Sequence, residues 1–157
     1  MEYSVEFSGL KKLGIKLPPT SKPVANYVKF VKTGHLIFLA GHGSCDATSP
    51  SSMHGKVGQD LTVEQGYAYA REVGLCLLST LKSAVGDLNK VKRVVRVFGM
   101  VNSAPDFYDQ PKVINGCSDL LVEIFGEKGK HARAAVGMAS LPVNIPVEIE
   151  MTVEIEE

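Results

Sequence analysis

The residues of this chain best suited to chemistry are an arginine and a glutamate fifteen positions apart. Arg133 lies in Lys130-His131-Ala132-Arg133-Ala134-Ala135-Val136-Gly137, a permanent cation in an otherwise small and apolar segment. Glu148 lies in the alternating stretch Pro146-Val147-Glu148-Ile149-Glu150-Met151. A guanidinium offers a rigid fork of donors that takes a carboxylate in bidentate fashion. A carboxylate near it can orient a water or shuttle a proton. Together they would suit hydrolysis or proton transfer on a small carboxylic acid. An ordinary cross-strand ion pair accounts for the same spacing, and Glu150 shares the face of Glu148. Tyr27 can hydrogen-bond through its hydroxyl, or merely cover an edge strand with its ring. His42 can relay a proton near neutral pH, or serve as a hydrogen-bonded structural group.

Composition narrows the functions open to these residues. At 157 residues the chain is expected to be one domain with its own core. Lys+Arg and Asp+Glu are equal at 17 each, so no global field favours nucleic acid or an acidic membrane surface. Strand alternation also splits the basic run Lys90-Val91-Lys92-Arg93-Val94-Val95-Arg96 between two faces. No apolar run is long enough for a membrane helix, and the start lacks a signal-peptide pattern. Cys45, Cys76 and Cys117 are odd in number and lack CxxC spacing, which suggests neither a disulfide framework nor a zinc site. Cys76 and Cys117 are expected as small core residues, Cys45 as the thiol of a polar loop. The expected location is a reducing cytoplasm.

These residues must be positioned by an ordered series of elements. Residues 2–14 suit a short helix in an N-terminal extension (1–24), stopped by Gly14 and by Pro18-Pro19. Residues 27–31 and 35–40 read as a β-hairpin around Thr33-Gly34. The arm Leu36-Ile37-Phe38-Leu39-Ala40 is apolar on both faces, so both must be covered. Residues 43–59, rich in Ser and Gly, read as a surface loop. Thr62 with Gln65 forms a capping-box spacing for a helix that Gly86 ends. Residues 91–101 are dense in β-branched side chains and read as a central strand. A second long helix spans about 111–125 by its apolar period, and two strands, 132–139 and 145–155, close the chain. The order ββαβαββ predicts an α+β sheet with both helices on one face. Parity assigns Ala134, Val136 and Met138 to the helix-covered core with Val147, Ile149, Met151 and Val153. It leaves Arg133, Ala135 and Gly137 opposite, beside Glu148 and Glu150, on a face that a subunit interface would bury.

The chain resembles the YjgF/Rid family, which includes the reactive-intermediate (imine) deaminases and is also known as endoribonuclease L-PSP. The resemblance is carried by Ala25-Asn26-Tyr27-Val28, Gly34 through His42, the helix 65–81 and the strand 91–97. It continues through Asp106-Phe107, Asn115, Ala132-Arg133, Leu141-Pro142 and Val147-Glu148-Ile149-Glu150. It implies a chorismate-mutase-like fold, a homotrimer with sites in the clefts between subunits, and hydrolysis of 2-imino or 2-enamino acids to 2-keto acids and ammonia without cofactor or metal. On that resemblance Arg133 clamps the substrate carboxylate and Glu148 serves the water or the proton. Tyr27 lines the cleft, and Asn115 is a polar helix residue near it. Ala40, His42 and Ala135 depart from the serine, glutamine and cysteine of the archetypal deaminase, and the 44–55 loop is longer. These departures mark a divergent branch. They leave three functions to weigh: a deaminase acting on a small imino acid, a non-catalytic trimer that binds a small carboxylate, and an endoribonuclease, which the balanced charge disfavours.

Overall fold

The structure, a computed structural model, describes residues 8–20, 22–23, 25–45 and 53–156. Five strands form one sheet: β1 (Phe30–Thr33), β2 (Leu36–His42), β3 (Val91–Asn102), β4 (Ala132–Met138) and β5 (Val147–Ile155). A short helix, α1 (Ser8–Leu13), precedes them; α2 (Val63–Val85) follows β2 and α3 (Gln110–Phe125) joins β3 to β4. The expected order ββαβαββ holds. Part of the helix expected over 2–14 lies outside the described residues. The strand order is β1-β2-β5-β3-β4. Among the five strands, β3 and β4 alone pair in parallel, as a crossover through a helix requires.

Local chemistry explains the helix limits. The Thr62 side chain accepts from the Gln65 amide while the Gln65 side chain accepts from the Thr62 amide, so two orphan donors are satisfied. Gly86, at φ 80°, ends α2 where other residues would be strained. In α3 the apolar positions Val113, Cys117, Leu120, Leu121 and Ile124 are all buried. They pack with α2 and with Ile37, Leu39, Val97, Ile149 and Met151 from one face of the sheet. The two long helices therefore cover that face together, as expected.

The parity assigned to β4 is corrected by its register. Arg133 pairs with Val97, Ala135 with Gly99 and Gly137 with Val101. Val97, Gly99 and Val101 pair in turn with Met151, Ile149 and Val147 of the core. Arg133, Ala135 and Gly137 thus face the helices, whereas Ala134, Val136 and Met138 face outward. The physical reason is proximity. Ile114 of α3 sits so close to β3 that a Cβ on Gly99 would come within 2.6 Å of it. Small residues belong under the helix here, and the bulkier ones go to the open side.

That open face carries Val31, Phe38, Arg96, Phe98, Met100, Glu148, Glu150 and Val136. The Arg96 guanidinium lies 5.4 Å from the Phe98 ring centroid, a cation–π distance. Val31, Phe38 and Val136 are exposed, so the second face of the apolar arm is not covered by the described residues of one chain. The 43–59 segment also differs from a simple surface loop. Val57 is fully buried and bridges to Leu61 and Ser103. Lys56 Nζ donates to Asn102 Oδ1 at 2.9 Å and to the Ala139 carbonyl. The part at 46–52 lies outside the described residues.

Candidate functional site

Arg133 is held from beneath by α3. Its NH1 donates to Asn115 Oδ1 at 2.8 Å and to Ser118 Oγ at 3.1 Å. Asn115 and Ser118 are three apart, one helical turn, and so present their polar groups side by side at the edge of α3. Both hydrogens of NH1 are consumed by these two acceptors. Among the described residues, NH2 and Nε have no partner, and Arg133 is exposed. That free edge is the bidentate edge of the guanidinium.

Behind Ser118 stands His131. Its Nδ1 lies 2.6 Å from the Gly129 carbonyl and its Nε2 2.9 Å from Ser118 Oγ. A carbonyl only accepts, so Nδ1 carries the proton and the bare Nε2 accepts from the Ser118 hydroxyl. The Ser118 oxygen then offers its lone pairs to Arg133. Burial lowers the His131 pKa, Arg133 lowers it further, and the Gly129 bond opposes them. The neutral form that the network needs is thereby favoured. Sequence reasoning missed Ser118 and His131. The available signals were the i, i+3 spacing of Asn115 and Ser118 and the His-x-Arg alternation entering β4.

The other sequence candidates lie elsewhere in the chain. Glu148 is on the open face, opposite to Arg133, and pairs with Met100. It packs on Gly41, where an added Cβ would meet its carboxyl carbon at 3.1 Å. Burial, then the charge of Glu150, hold its carboxyl above the ordinary value. The expectation that Arg133 and Glu148 share a face is therefore corrected, and no cross-strand ion pair joins them. Tyr27 is exposed just before β1, at the sheet edge opposite to β4. Four strand spacings put the two edges about 19 Å apart. His42 is buried toward α2, with Nδ1 2.6 Å from the Ala40 carbonyl and Nε2 2.8 Å from Thr80 Oγ. Burial chiefly lowers its pKa. Of the five candidates, one chain brings together only Arg133 and Asn115.

The cysteines give the second correction. Cys45 and Cys76 form a disulfide, although their spacing suggests none; folding brings the end of β2 onto the middle of α2. Cys117 is a free buried thiol pushed up to about 12, mainly by burial, which makes it inert as a nucleophile. Among the described residues, no group of three or more His, Cys, Asp or Glu is placed to hold a metal. No described helix is long and apolar enough to cross a membrane.

Comparison with known proteins gives this geometry a context. The model of the family described as "YjgF/chorismate_mutase-like, putative endoribonuclease" matches residues 7–155. The chain belongs to the YjgF family. This YjgF-family chain is 43% identical over 155 residues to Protein TCP17 of Trypanosoma cruzi, covering 94% of this chain and 92% of that one. It is similar to the crystal structure of Atu1372 from Agrobacterium tumefaciens, with 42% identity and a TM-score of 0.87 over 96% of this chain and 92% of that one. The RidA structure from an Antarctic Psychrobacter species is more distant, at 26% identity and a TM-score of 0.59, over 87% of this chain and 94% of that one. The lower values agree with a divergent branch of the family.

Proposed function

We propose that this chain hydrolyses small 2-imino or 2-enamino acids to 2-keto acids and ammonia, with Arg133 as the carboxylate clamp. The observation that carries the reading is the tethered guanidinium. Asn115 and Ser118 take both hydrogens of NH1, which leaves the NH2 and Nε edge for a carboxylate. A substrate held there has its C=N carbon one bond from the clamped carboxylate, at a fixed distance from the strand edge. Water adds to that carbon, and a group that accepts one proton and returns it to nitrogen lets ammonia leave. The imine is already electrophilic, so the reaction needs no cofactor.

Glu148 suits the proton transfer because burial keeps its carboxyl readier to hold a proton than an ordinary glutamate. It cannot serve Arg133 of its own chain, since the two occupy opposite sheet faces. A composite site between subunits resolves this, with Glu148 and Tyr27 supplied by a neighbouring copy, and a trimer is the assembly proposed. The exposed Val31, Phe38 and Val136 give the open face the apolar surface that such an assembly would bury.

A second reading, a non-catalytic carboxylate-binding module, is favoured by one observation. Among the described residues, His131 is the one acid–base group hydrogen-bonded to the Arg133 tether, and both its nitrogens are already engaged. One experiment separates the two. Ammonia release from freshly generated 2-aminoacrylate or 2-iminobutanoate is measured with wild-type protein and with Arg133→Ala. The deaminase reading expects acceleration that Arg133→Ala abolishes. Equal rates with and without wild-type protein would sink it, and a thermal shift by 2-ketobutyrate that vanishes in Arg133→Ala would then support the binding module.

A further inference from the structure

The Cys45–Cys76 disulfide lies outside the clamp and opens on a cavity. Its two halves come from segments 31 residues apart, one just beyond β2 and one in the middle of α2. They are not equivalent. Cys76 is 3% exposed and fixed in a helix, whereas Cys45 is only partly buried in a loop. Both line a cavity of about 430 Å³ walled by Leu17, Pro18 and Leu75, with Lys16 and Glu72 also on its surface. That volume lies in the range of small-molecule sites. Lys16 has no charged partner among the described residues, whereas Glu72 accepts from Ser44 Oγ at 3.3 Å.

We propose that this disulfide is a thiol–disulfide exchange site for small anionic thiols, with Cys45 the sulfur attacked and Cys76 the leaving group. A thiolate entering the cavity meets Cys45 Sγ first, because α2 shields Cys76. As the new S–S bond forms, the old one breaks and its electron pair leaves on Cys76 Sγ, which then takes a proton from solvent. The Cys45 amide donates to Cys76 Sγ at 2.9 Å, so a donor already points at the sulfur that becomes negative. That bond offsets part of the cost of placing charge at a shielded sulfur. A second thiol attacking the mixed disulfide releases the small-molecule disulfide and leaves two protein thiols. Lys16 favours a carboxylate on the incoming thiol, and Glu72 tolerates an ammonium on it. A zwitterionic peptide thiol matches both. After exchange, the chain leaving β2 loses its covalent tie to α2 and keeps the hydrogen bonds of Ser44 to Tyr69 and Glu72.

The test uses the full oxidised chain, glutathione as probe, and intact mass after an acid quench. Wild-type protein should be reduced by glutathione under native conditions, while the buried Cys117 stays unalkylated and reports that the fold is intact. Cys76→Ser with oxidised glutathione should trap one adduct at Cys45. Cys45→Ser should react at Cys76 at least about tenfold more slowly, as expected for a shielded thiol. Lys16→Glu should slow reaction with glutathione roughly threefold to tenfold more than reaction with 2-mercaptoethanol, whose attacking thiolate carries no carboxylate. A disulfide that resists glutathione until denaturant is added overturns the proposal, as does preferential labelling of Cys76. Equal effects of Lys16→Glu on both thiols overturn the assignment of an anionic partner.

Discussion

Removing the tether of Arg133 while keeping the arginine tests whether the clamp is preorganised. In the double variant Asn115→Ala/Ser118→Ala, NH1 loses bonds of 2.8 and 3.1 Å. Hydrogen bonds to charged groups are worth about 1.5–3 kcal/mol when buried, but Arg133 is exposed, so each is discounted to about 0.5–1 kcal/mol. Those bonds also hold part of the roughly 2 kcal/mol of rotamer entropy that a free arginine carries. Without them a carboxylate ligand must order the side chain itself. If about half of the combined benefit reaches the bound state, affinity falls by about 1–1.5 kcal/mol, close to tenfold, and about threefold for either single variant. Calorimetric titration with 2-ketobutyrate at fixed ionic strength measures this directly. Steady-state kinetics should show the loss mainly in KM. The fold should survive, because both positions lie on the polar edge of α3 and alanine is a good helix former. Unchanged affinity in the double variant, alongside complete loss in Arg133→Ala, would refute preorganisation by α3.

Three further outcomes follow from the same geometry. Gly116→Ala should lower stability by more than about 3 kcal/mol, as severe overpacking does. An added Cβ would come 2.1 Å from the Tyr67 carbonyl of α2, and an unchanged urea midpoint would count against that close helix contact. Glu148→Gln should stabilise the protein at neutral pH. Because the folded carboxyl titrates above its ordinary value of 4.5, the wild-type contribution is fully favourable below that value and is lost as pH rises through the folded pKa. The advantage of the variant in thermal midpoint should therefore vanish below about pH 4.5; a gap that does not change with pH contradicts this. Under the proposed composite site between subunits, Phe38→Asp on the open face should reduce the mass seen by sedimentation to that of one chain and abolish the proposed deamination. A native-size assembly in this variant would place the interface elsewhere.

Much of the fold was legible because its signals are local. Thr62 with Gln65 and Gly86 mark the ends of α2 by capping chemistry that owes nothing to the tertiary structure, and Gly34 at φ 58° marks the hairpin turn. The face of β4 was not legible. Ala134 to Met138 lack a strong alternation of size and polarity, and the outcome depends on how closely Ile114 approaches Gly99. The disulfide was hidden for a similar reason, since only the packing of the β2 end against α2 brings positions 45 and 76 together. Within the site, Arg133 and Asn115 stood out by type and family position. Ser118 and His131 were passed over because a helix-edge serine and a pre-strand histidine have many ordinary explanations. His42 shows the reverse. Its type invited a chemical role, and its surroundings show a buried brace between β2 and Thr80.

The position of β5 in the sheet constrains how the chain reaches its native state during synthesis. This strand comes last in chain order yet lies between β2 and β3, so without it the β1–β2 hairpin and the β3–β4 pair have no shared neighbour. Both helices can form early from local contacts, but the sheet beneath them cannot close until the ribosome has passed Ile155. Until then the apolar edges of β2 and β3 are open to pairing with other chains. Folding is thus committed late and through non-local contacts. A nascent chain stalled within β5 would expose two unpaired strand edges, one on β2 and one on β3, to its surroundings.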